Sequence, residues 1–168
     1  LIIGTIVAIS QMNYIRKEDL GFKKEAVLVL TTNQDSAVVS RQNAFKNELL
    51  SQKGIQSVSF SSDMPSSDNN WATNFAFDGR EDEKFEVYLK MADADYFKTY
   101  GLQFVAGRGF GVSDTTREIV INETMVQKLG LKNPEEAVGK NLKLGGGKWK
   151  PIVGVVRDFK ANSLREKI

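Results

Sequence analysis

The chain of 168 residues contains no cysteine and no histidine. These absences exclude disulfide bonds, Ser-His-Asp and Cys-His nucleophiles, thiol redox chemistry and zinc sites of the usual kind. Any enzyme built on this sequence would have to work with Asp, Glu, Lys, Tyr or Ser alone. The lack of cysteine fits the cytoplasm and the periplasm equally, because disulfides are optional outside the cytoplasm.

An excess of charge of one sign is also missing. The net charge of +2 is too small for a nucleic-acid footprint, and no basic cluster is interleaved with aromatic residues, so we expect no nucleic-acid partner. Apolar and charged fractions of 41% and 26% are ordinary for a soluble globular domain. Beyond about residue 11 no apolar run approaches the ~20 residues that span a bilayer. The length suggests one domain or two small lobes.

The one conspicuous apolar run, LIIGTIVAI, occupies residues 1–9 with no methionine in front of it. It is too short to span a membrane by itself, and its start indicates a fragment or a processed product. Ile6, Ile9 and Ile15 recur at helical spacing, and Gly21 after Leu20 is typical of a left-handed C-cap. We therefore predict one helix over residues 1–20, apolar at its start and polar at its end.

A strand–helix–strand unit is predicted next. EAVLVLTT at residues 25–32 is rich in strand-forming residues, and residues 33–36 offer N-cap side chains for a helix that Gly54 ends. IQSVSFSS at residues 55–62 alternates imperfectly and predicts the second strand. The apolar residues expected on the inner face of the helix are Val38, Phe45 and Leu49.

Two more strands are predicted after a turn-rich loop at residues 63–70. WATNFAFDG at residues 71–79 and FEVYLKMA at residues 85–92 both alternate apolar residues with a period of two. Trp71, Phe75 and Phe77 fall on one side of their strand, so we favour a place in the core. The alternative is a ligand pocket lined by Trp71, Phe75, Phe77 and Tyr88.

Asp93 and Asp95 precede a short predicted helix at residues 96–100, which Gly101 ends. We interpret the two carboxylates as helix caps, which accept hydrogen bonds from orphan backbone N–H groups. The competing hypothesis is a carboxylate pair for acid–base hydrolysis. A separation above ~10 Å, or hydrogen bonds from backbone amides to these carboxylates, would exclude that hydrolase.

The second half of the chain consists of short elements with clear ends. We predict a strand at residues 118–122, a helix capped by Asn122 and ended by Gly130, and a short helical turn beginning at Pro134. NLKLGGGKWKPIVGVV predicts a hairpin with its turn at residues 145–147. The inner residues of the capped helix are expected to be Met125, Val126 and Leu129.

No motif in this half predicts a catalytic site. KLGGGKW lacks both the first glycine and the Ser or Thr of a phosphate-binding loop. Gly107, Arg108 and Gly109 predict a tight backbone turn, with Arg108 lying on neighbouring strands, and Asp158 is read as a turn former after the last strand. We therefore predict no catalytic residue, no metal and no cofactor.

Three elements in order, behind an apolar helix, resemble the MacB-like periplasmic core domain of FtsX-like ABC transporter permeases. They are MADADYFKTYGLQFVAGRGF, IVINETMVQKLGLKNPEEAVGKNL and PIVGVVRDFKANSLREKI. The motif residues, which we interpret as structural, are Asp93, Tyr96, Phe97, Gly101, Gly107, Arg108 and Phe110 in the first element, Asn122, Glu123, Gly130, Gly139 and Lys140 in the second, and Gly154, Asp158 and Phe159 in the third.

The resemblance implies an α+β fold of two lobes behind the end of a transmembrane helix. Residues 1–22 would be the truncated first transmembrane or stalk helix. Residues 23–101 and 151–168 would form a porter-like strand–helix–strand lobe, and residues 102–150 an inserted, small mixed α/β lobe of the kind called a sabre.

The resemblance also implies a function without catalysis in this chain. The domain would lie on the periplasmic side of the bacterial cytoplasmic membrane and couple ATP hydrolysis on a separate cytoplasmic ATPase to export or envelope signalling. Ile6, Ile9, Ile15 and Leu20 would carry this coupling along the first helix. Expected partners are the ATPase, the rest of the permease as a homodimer or paired permease, and a peptide or envelope protein. The alternative is a soluble or lipid-anchored periplasmic binding module.

Overall fold

The computed structural model describes residues 2–17, 19–31, 40–67, 69, 71–80 and 82–161. Its helices are α1 (Ile2–Lys17), α2 (Gln42–Ser51), α3 (Tyr96–Tyr100) and α4 (Glu123–Lys128), followed by a 3₁₀ helix at Pro134–Ala137. Its strands are β1 (Trp71–Thr73), β2 (Phe75–Phe77), β3 (Val87–Leu89), β4 (Phe104–Gly107), β5 (Ile119–Asn122), β6 (Asn141–Leu144) and β7 (Trp149–Val156). The predicted α+β class is confirmed.

The larger sheet is organised around β7. The order β2-β6-β7-β4 is antiparallel throughout, and β5 adds to β7 as a parallel strand. β6 pairs with the first part of β7, from Trp149 to Pro151, while β5 and β4 pair with the part that ends at Val156. β7 therefore has hydrogen-bonded partners from its first residue to its last.

The predicted hairpin between β6 and β7 is confirmed. Gly145 has a φ of 50°, a conformation that favours glycine, and the Gly147 N–H donates to the Leu144 carbonyl across the turn at 2.9 Å. Leu142 and Ile152 extend from the two arms into the core and are almost fully buried. Three apolar residues of β7 are buried: Ile152, Val155 and Val156.

The main core lies between this sheet and α4. Met125, Val126 and Leu129 are buried there, as predicted from the helical spacing. Asn122 accepts a hydrogen bond from the Met125 backbone N–H at 3.2 Å, which confirms the predicted N-cap. The other buried members of this core are Phe75, Phe77, Ala106, Ile121, Ala137, Leu142, Ile152 and Val155.

The run WATNFAF forms two strands where the alternation predicted one. β1 pairs with β3 in a two-stranded sheet, and β2 pairs with β6 in the larger sheet, with Asn74 between them. All three residues of β2 are buried, because both of its faces are covered. Trp71 on β1 is 66% exposed, so the prediction that it belongs to the core is wrong.

The strands predicted at residues 25–32 and 55–62 are not formed in the described part of the chain. Residues 27–31 have no ladder partner among the described residues, and Leu28 is 81% exposed. The second segment makes one isolated bridge, between Ser61 and Ala92. Strand propensity is realised only when a neighbour pairs with the segment. The N-cap residues 33–36 and Val38 lie outside the described residues.

A second, smaller core surrounds α3. Tyr96, Tyr100 and Leu102 are buried, and Gly101 ends the helix with a φ of 64°, as predicted. Burial raises the pKa of the Tyr96 hydroxyl well above its usual value. We call this group the aromatic cluster. The partly buried residues that pack against it are Phe22, Val27, Ala92, Phe97 and Phe159.

Helix α1 confirms the predicted helical conformation, but its side chains face solvent. Residues 3–13 are all exposed, and the side chain of Ile15 lies outside the described set. In the described part of the chain, no helix has the length and apolar character needed to cross a bilayer.

The two predicted lobes share hydrogen-bonded strands. β2 from the predicted porter-like lobe pairs with β6 from the predicted inserted lobe, and the predicted boundary at residues 150–151 lies inside β7. The division into 23–101, 102–150 and 151–168 stays a prediction.

We expect replacement of Ile152 by alanine to lower the free energy of unfolding by about 2–5 kcal/mol, because a fully buried side chain leaves a cavity. Urea unfolding followed by circular dichroism measures this. Val112→Ala is the control, since Val112 is 95% exposed and its loss should cost less than about 0.5 kcal/mol. Similar effects of the two changes would contradict the described core.

Candidate functional site

The segment that leaves α1 is seated in a seam between two other parts of the chain. The Leu20 carbonyl accepts a hydrogen bond from the Lys160 N–H at 2.9 Å, and the Lys23 N–H donates to the Tyr100 carbonyl at 2.7 Å. The Phe22 ring meets the Tyr100 ring edge-to-face at 6.1 Å. We call residues 19–23, together with residues 100–101 and 158–160, the docking seam.

Gly21 is required at the centre of the docking seam. Its φ of 76° is unfavourable for any residue with a side chain, and its N–H is held by the Asp19 carboxylate at 2.9 Å. An added Cβ would lie 2.7 Å from the Asp158 carbonyl oxygen and 2.9 Å from the Phe159 Cα. Because α1 ends at Lys17, the prediction that Gly21 is its C-cap is wrong. Gly21 instead permits close packing on the segment that follows β7.

Asp158 connects the docking seam to the first turn of α4. Its Oδ1 accepts from the Asn122 side-chain amide at 2.8 Å and from the Thr124 backbone N–H at 2.9 Å, and its Oδ2 accepts from the Thr124 hydroxyl at 2.7 Å. The Asp158 N–H donates in return to the Glu123 carboxylate at 3.1 Å. This arrangement satisfies N–H groups that a helix start leaves open.

Sequence reasoning identified Asp158 as a turn former and missed this role. The positions of the two residues in the sequence could have indicated the contact, since Asn122 ends β5 and Asp158 follows β7. Neighbouring parallel strands bring their carboxyl ends together. Without knowledge that β5 and β7 pair, the two motifs could not be joined.

Asp93 and Asp95 converge on Lys46 of α2. The Lys46 ammonium lies 2.8 Å from Asp93 and 2.6 Å from Asp95, and Ser59 also donates to Asp93 at 2.6 Å. The Asp95 side chain makes no cap hydrogen bond to α3, so the capping interpretation is wrong for this residue. Asp93 accepts from the Asp95 backbone N–H at 3.2 Å, which meets the condition that excludes the hydrolase.

Lys46 was not singled out in the sequence. Burial lowers the pKa of its amine, but the hydrogen bonds from the amine to Asp93 and Asp95 outweigh this and raise the pKa above its usual value. No residue of α2 is buried. The two ion pairs are therefore the main described attachment of α2 to the rest of the protein.

The predicted tight turn at Arg108 is wrong, because Gly107 ends β4 and the Arg108 N–H continues the pairing by donating to the Val153 carbonyl at 2.9 Å. The Arg108 side chain closes a loop instead. The guanidinium bonds both carboxylate oxygens of Glu118, at 2.6 and 3.1 Å, and the Gly111 N–H donates to the same carboxylate at 2.8 Å. The hydrogen bond from Arg108, then that from Gly111, lowers the pKa of Glu118 to about 2. Gly107 has a φ of 65° and packs directly on Val153.

A shallow surface hollow of about 480 Å³ brings two motifs together. Gly107 and Arg108 border it from the first motif, and Gly139 borders it from the second. The guanidinium of Arg108 is already occupied by Glu118, and Lys140, which follows Gly139, forms an ion pair with Asp78 at 2.6 Å. The remaining lining residues are Val138, Pro151, Ile152 and Val153.

The four residues of the alternative ligand pocket do not meet. Phe75 and Phe77 are buried in the core, whereas Trp71 and Tyr88 are 66% and 59% exposed on the two-stranded sheet. The preferred interpretation of Phe75 and Phe77 as core residues is confirmed. The binding-module hypothesis loses the pocket on which it depended.

One buried amine has no hydrogen-bond partner among the described residues. It is the Nζ of Lys90, just after β3. Burial lowers its pKa below the usual value, and the nearby Asp63 carboxylate partly opposes this. The protonated amine is therefore an energetic cost to the fold.

The remaining predicted residues occupy structural positions or solvent. Ile6 and Ile9 are exposed on α1, and Gly130 has a φ of 76° after α4. The Phe97 ring lies 4.8 Å from that of Phe110. Gly154 packs against the Arg108 backbone. The assignment of these residues as family-motif positions stays a prediction.

A family model described as the MacB-like periplasmic core domain matches residues 1–166. The chain belongs to this family, and the resemblance identified from its three motifs is confirmed. A comparison with curated protein sequences finds no match.

One solved structure, the first of the three that follow, supports the fold. The periplasmic region of MacB from Actinobacillus actinomycetemcomitans is 21% identical, with a TM-score of 0.52 over 71% of this chain and 52% of that one. A domain of a putative permease from Porphyromonas gingivalis is 17% identical, with a TM-score of 0.46 over 64% and 47%. The extracellular domain of the noncanonic ABC-type transporter YknZ from Gram-positive bacteria is 22% identical, with a TM-score of 0.48 over 67% and 55%. The chain spans about half the length of these solved relatives.

We expect Asp158→Asn to lower the free energy of unfolding by about 1–3 kcal/mol, because an amide nitrogen would face donors that now meet a carboxylate. Urea unfolding measures the loss. Asp114→Asn removes the same charge from an exposed loop and should change stability by less than about 0.5 kcal/mol. Equal effects would contradict the capping role of Asp158.

The low pKa of Glu118 should be directly measurable. NMR titration of its side-chain carboxyl should give a pKa of about 2, against the ordinary 4.5. Because folding lowers this pKa, the stabilisation is present above pH 4.5 and is lost as the pH falls toward 2. Arg108→Gln should raise the pKa back toward its ordinary value. Arg117→Gln, the neighbouring charge control, should leave it low; a rise there would contradict the specific pairing.

Proposed function

We propose that this chain is the extracytoplasmic domain of an ABC transporter permease. In this role it couples ATP hydrolysis on a separate cytoplasmic ATPase to substrate export or envelope signalling. It performs no chemistry itself, and it acts as a mechanical element that moves with the first membrane helix. Family membership over residues 1–166 supports the class of protein.

The proposed location is the periplasmic face of the bacterial cytoplasmic membrane. Residues 1–22 would be the outer end of the first membrane-spanning helix, which accounts for five exposed apolar side chains on one short helix. These are Ile3, Ile6, Val7, Ile9 and Met12. The proposed partners are the ATPase, a second permease copy or a paired permease, and a peptide or envelope protein as cargo or target.

The observation that carries the proposal is the docking seam. A membrane helix transmits movement only if its outer end is held by the domain. Here the exit from α1 is held by two backbone hydrogen bonds and an aromatic contact on opposite sides. Without such attachment, α1 would be a flexible tether.

The test uses the complete permease with its ATPase partner in lipid nanodiscs. This chain has no native cysteine, so once cysteines elsewhere in the permease and ATPase are replaced by serine, Lys148→Cys gives one spin label per domain at the exposed β6–β7 turn. Double electron–electron resonance between the two copies should show a population shift when ATP is added. A wild-type distance distribution that ATP leaves unchanged would contradict the proposed coupling.

A matched control separates coupling from assembly. A short Gly-Ser linker inserted after Lys17 makes the exit from α1 flexible, so ATP binding should persist while the ATP-dependent shift falls by roughly 5- to 150-fold in its equilibrium constant. The same linker inserted in the exposed loop at residues 113–117 should leave the shift unchanged. A full response with the linker after Lys17 would show that α1 does not transmit it.

A further inference from the structure

We infer that Gly21 and Asp158 form a rigid joint that fixes the direction of α1 relative to the five-stranded sheet. This inference rests on the proposed function and names the residues through which the movement of the helix reaches the body of the domain. The two residues act by positioning, since neither contacts a substrate.

Gly21 packs directly against the segment that follows β7. The Gly21 Cα lies so close to the Asp158 carbonyl and the Phe159 backbone that no Cβ fits between them. Hydrogen bonds flank this contact on both sides, from Lys160 to Leu20 and from Lys23 to Tyr100. A segment held at Leu20 and Gly21 by residues 158–160, and at Lys23 by Tyr100, cannot rotate freely against the body of the domain.

Asp158 also binds the end of β5 and the start of α4. Its carboxylate receives three hydrogen bonds from Asn122 and Thr124, and its N–H is bound by Glu123. These residues are the end of β5 and the start of α4, whose next turn is buried in the main core. One residue therefore contacts the exit of α1 through its backbone oxygen and the body of the domain through its side chain.

Asp158 is also joined to the sheet through the carboxyl end of β7. Asp158 follows β7 after a single residue, and that residue, Arg157, donates its N–H to the Gln103 carbonyl at 2.8 Å, next to β4. The carboxyl end of β7 is thus held from both sides before the chain reaches the joint. A displacement of Gly21 must move Asp158, α4 or the end of the sheet.

The matched pair of variants is Gly21→Ala and Gly79→Ala. Both glycines have similar positive φ values, 76° and 81°, so alanine strains the backbone alike in each. An added Cβ meets the Asp158 carbonyl at position 21, whereas nothing lies within 4 Å of it at position 79. Any difference between the variants therefore reports the contact and not the backbone strain.

The first readout is hydrogen exchange in the complete permease. Gly21→Ala should accelerate exchange of the Thr124 and Met125 amides at least about tenfold relative to wild type, because displacement of Asp158 opens the start of α4. Gly79→Ala should not. If Gly21→Ala fails to fold, Thr124→Val replaces it, since it removes one hydrogen bond to Asp158 while keeping the side-chain shape. Unchanged exchange in the variant that folds overturns the joint.

The second readout is the angle of α1. Spin labels at Gln11→Cys and Lys148→Cys of one copy should give a narrow distance distribution that ATP does not change, because a rigid joint keeps the helix and sheet together. Gly21→Ala should broaden it and reduce the ATP response between copies. A distribution that stays narrow with a full ATP response overturns the joint while the proposed function stands.

The two failures are distinguishable. If ATP moves the domains in both wild type and Gly21→Ala, coupling exists and this joint does not carry it. If ATP moves nothing in wild type, the proposed function is wrong, and the role of the joint is overturned with it.

Discussion

The structure depends on the pairing of β7 along its whole length. Buried backbone groups must be hydrogen-bonded, and β6, β5 and β4 together pair with β7 along its length. Ile152 and Val155 of β7 are part of the main core. Because β7 lies beside the parallel strand β5, its continuation at Asp158 arrives beside Asn122 and the start of α4.

In this geometry one residue, Asp158, joins the end of β7, the start of α4 and the exit of α1. Asp158 caps α4 through its side chain and seats Gly21 against its backbone. The cost of holding a partly buried carboxylate is offset by charge-assisted hydrogen bonds from three donors. On the other side of the docking seam, Phe22 reaches the aromatic cluster through Tyr100, so the exit of α1 contacts the smaller core directly and α4 only through Asp158.

Local features were predictable because the interactions that form them lie within a few residues. The cap at Asn122, the turn at Gly145 and the end of α3 at Gly101 all involve hydrogen bonds or backbone angles within one turn. The period-two pattern also located β2 and β3. The same local reasoning assigned Asp95 to capping, because the sequence does not reveal that Lys46 lies beside it.

The failures share one physical cause, which is dependence on distant partners. EAVLVLT has strong strand propensity but no ladder partner in the described part of the chain, and WATNFAF changes sheet at Asn74 because its two halves pair with different strands. The order of three motifs in the sequence was enough to recognise the family. It did not reveal that residues of these motifs contact one another in the folded protein. By itself the sequence determined the α+β class, the N-cap at Asn122, the turn at Gly145, the end of α3 at Gly101 and the burial of Phe75, Phe77, Met125, Val126 and Leu129, since these depend on local backbone chemistry and apolar spacing. Only the tertiary structure decided that Asp158 contacts both Gly21 and the start of α4, because that requires β5 and β7 to lie side by side.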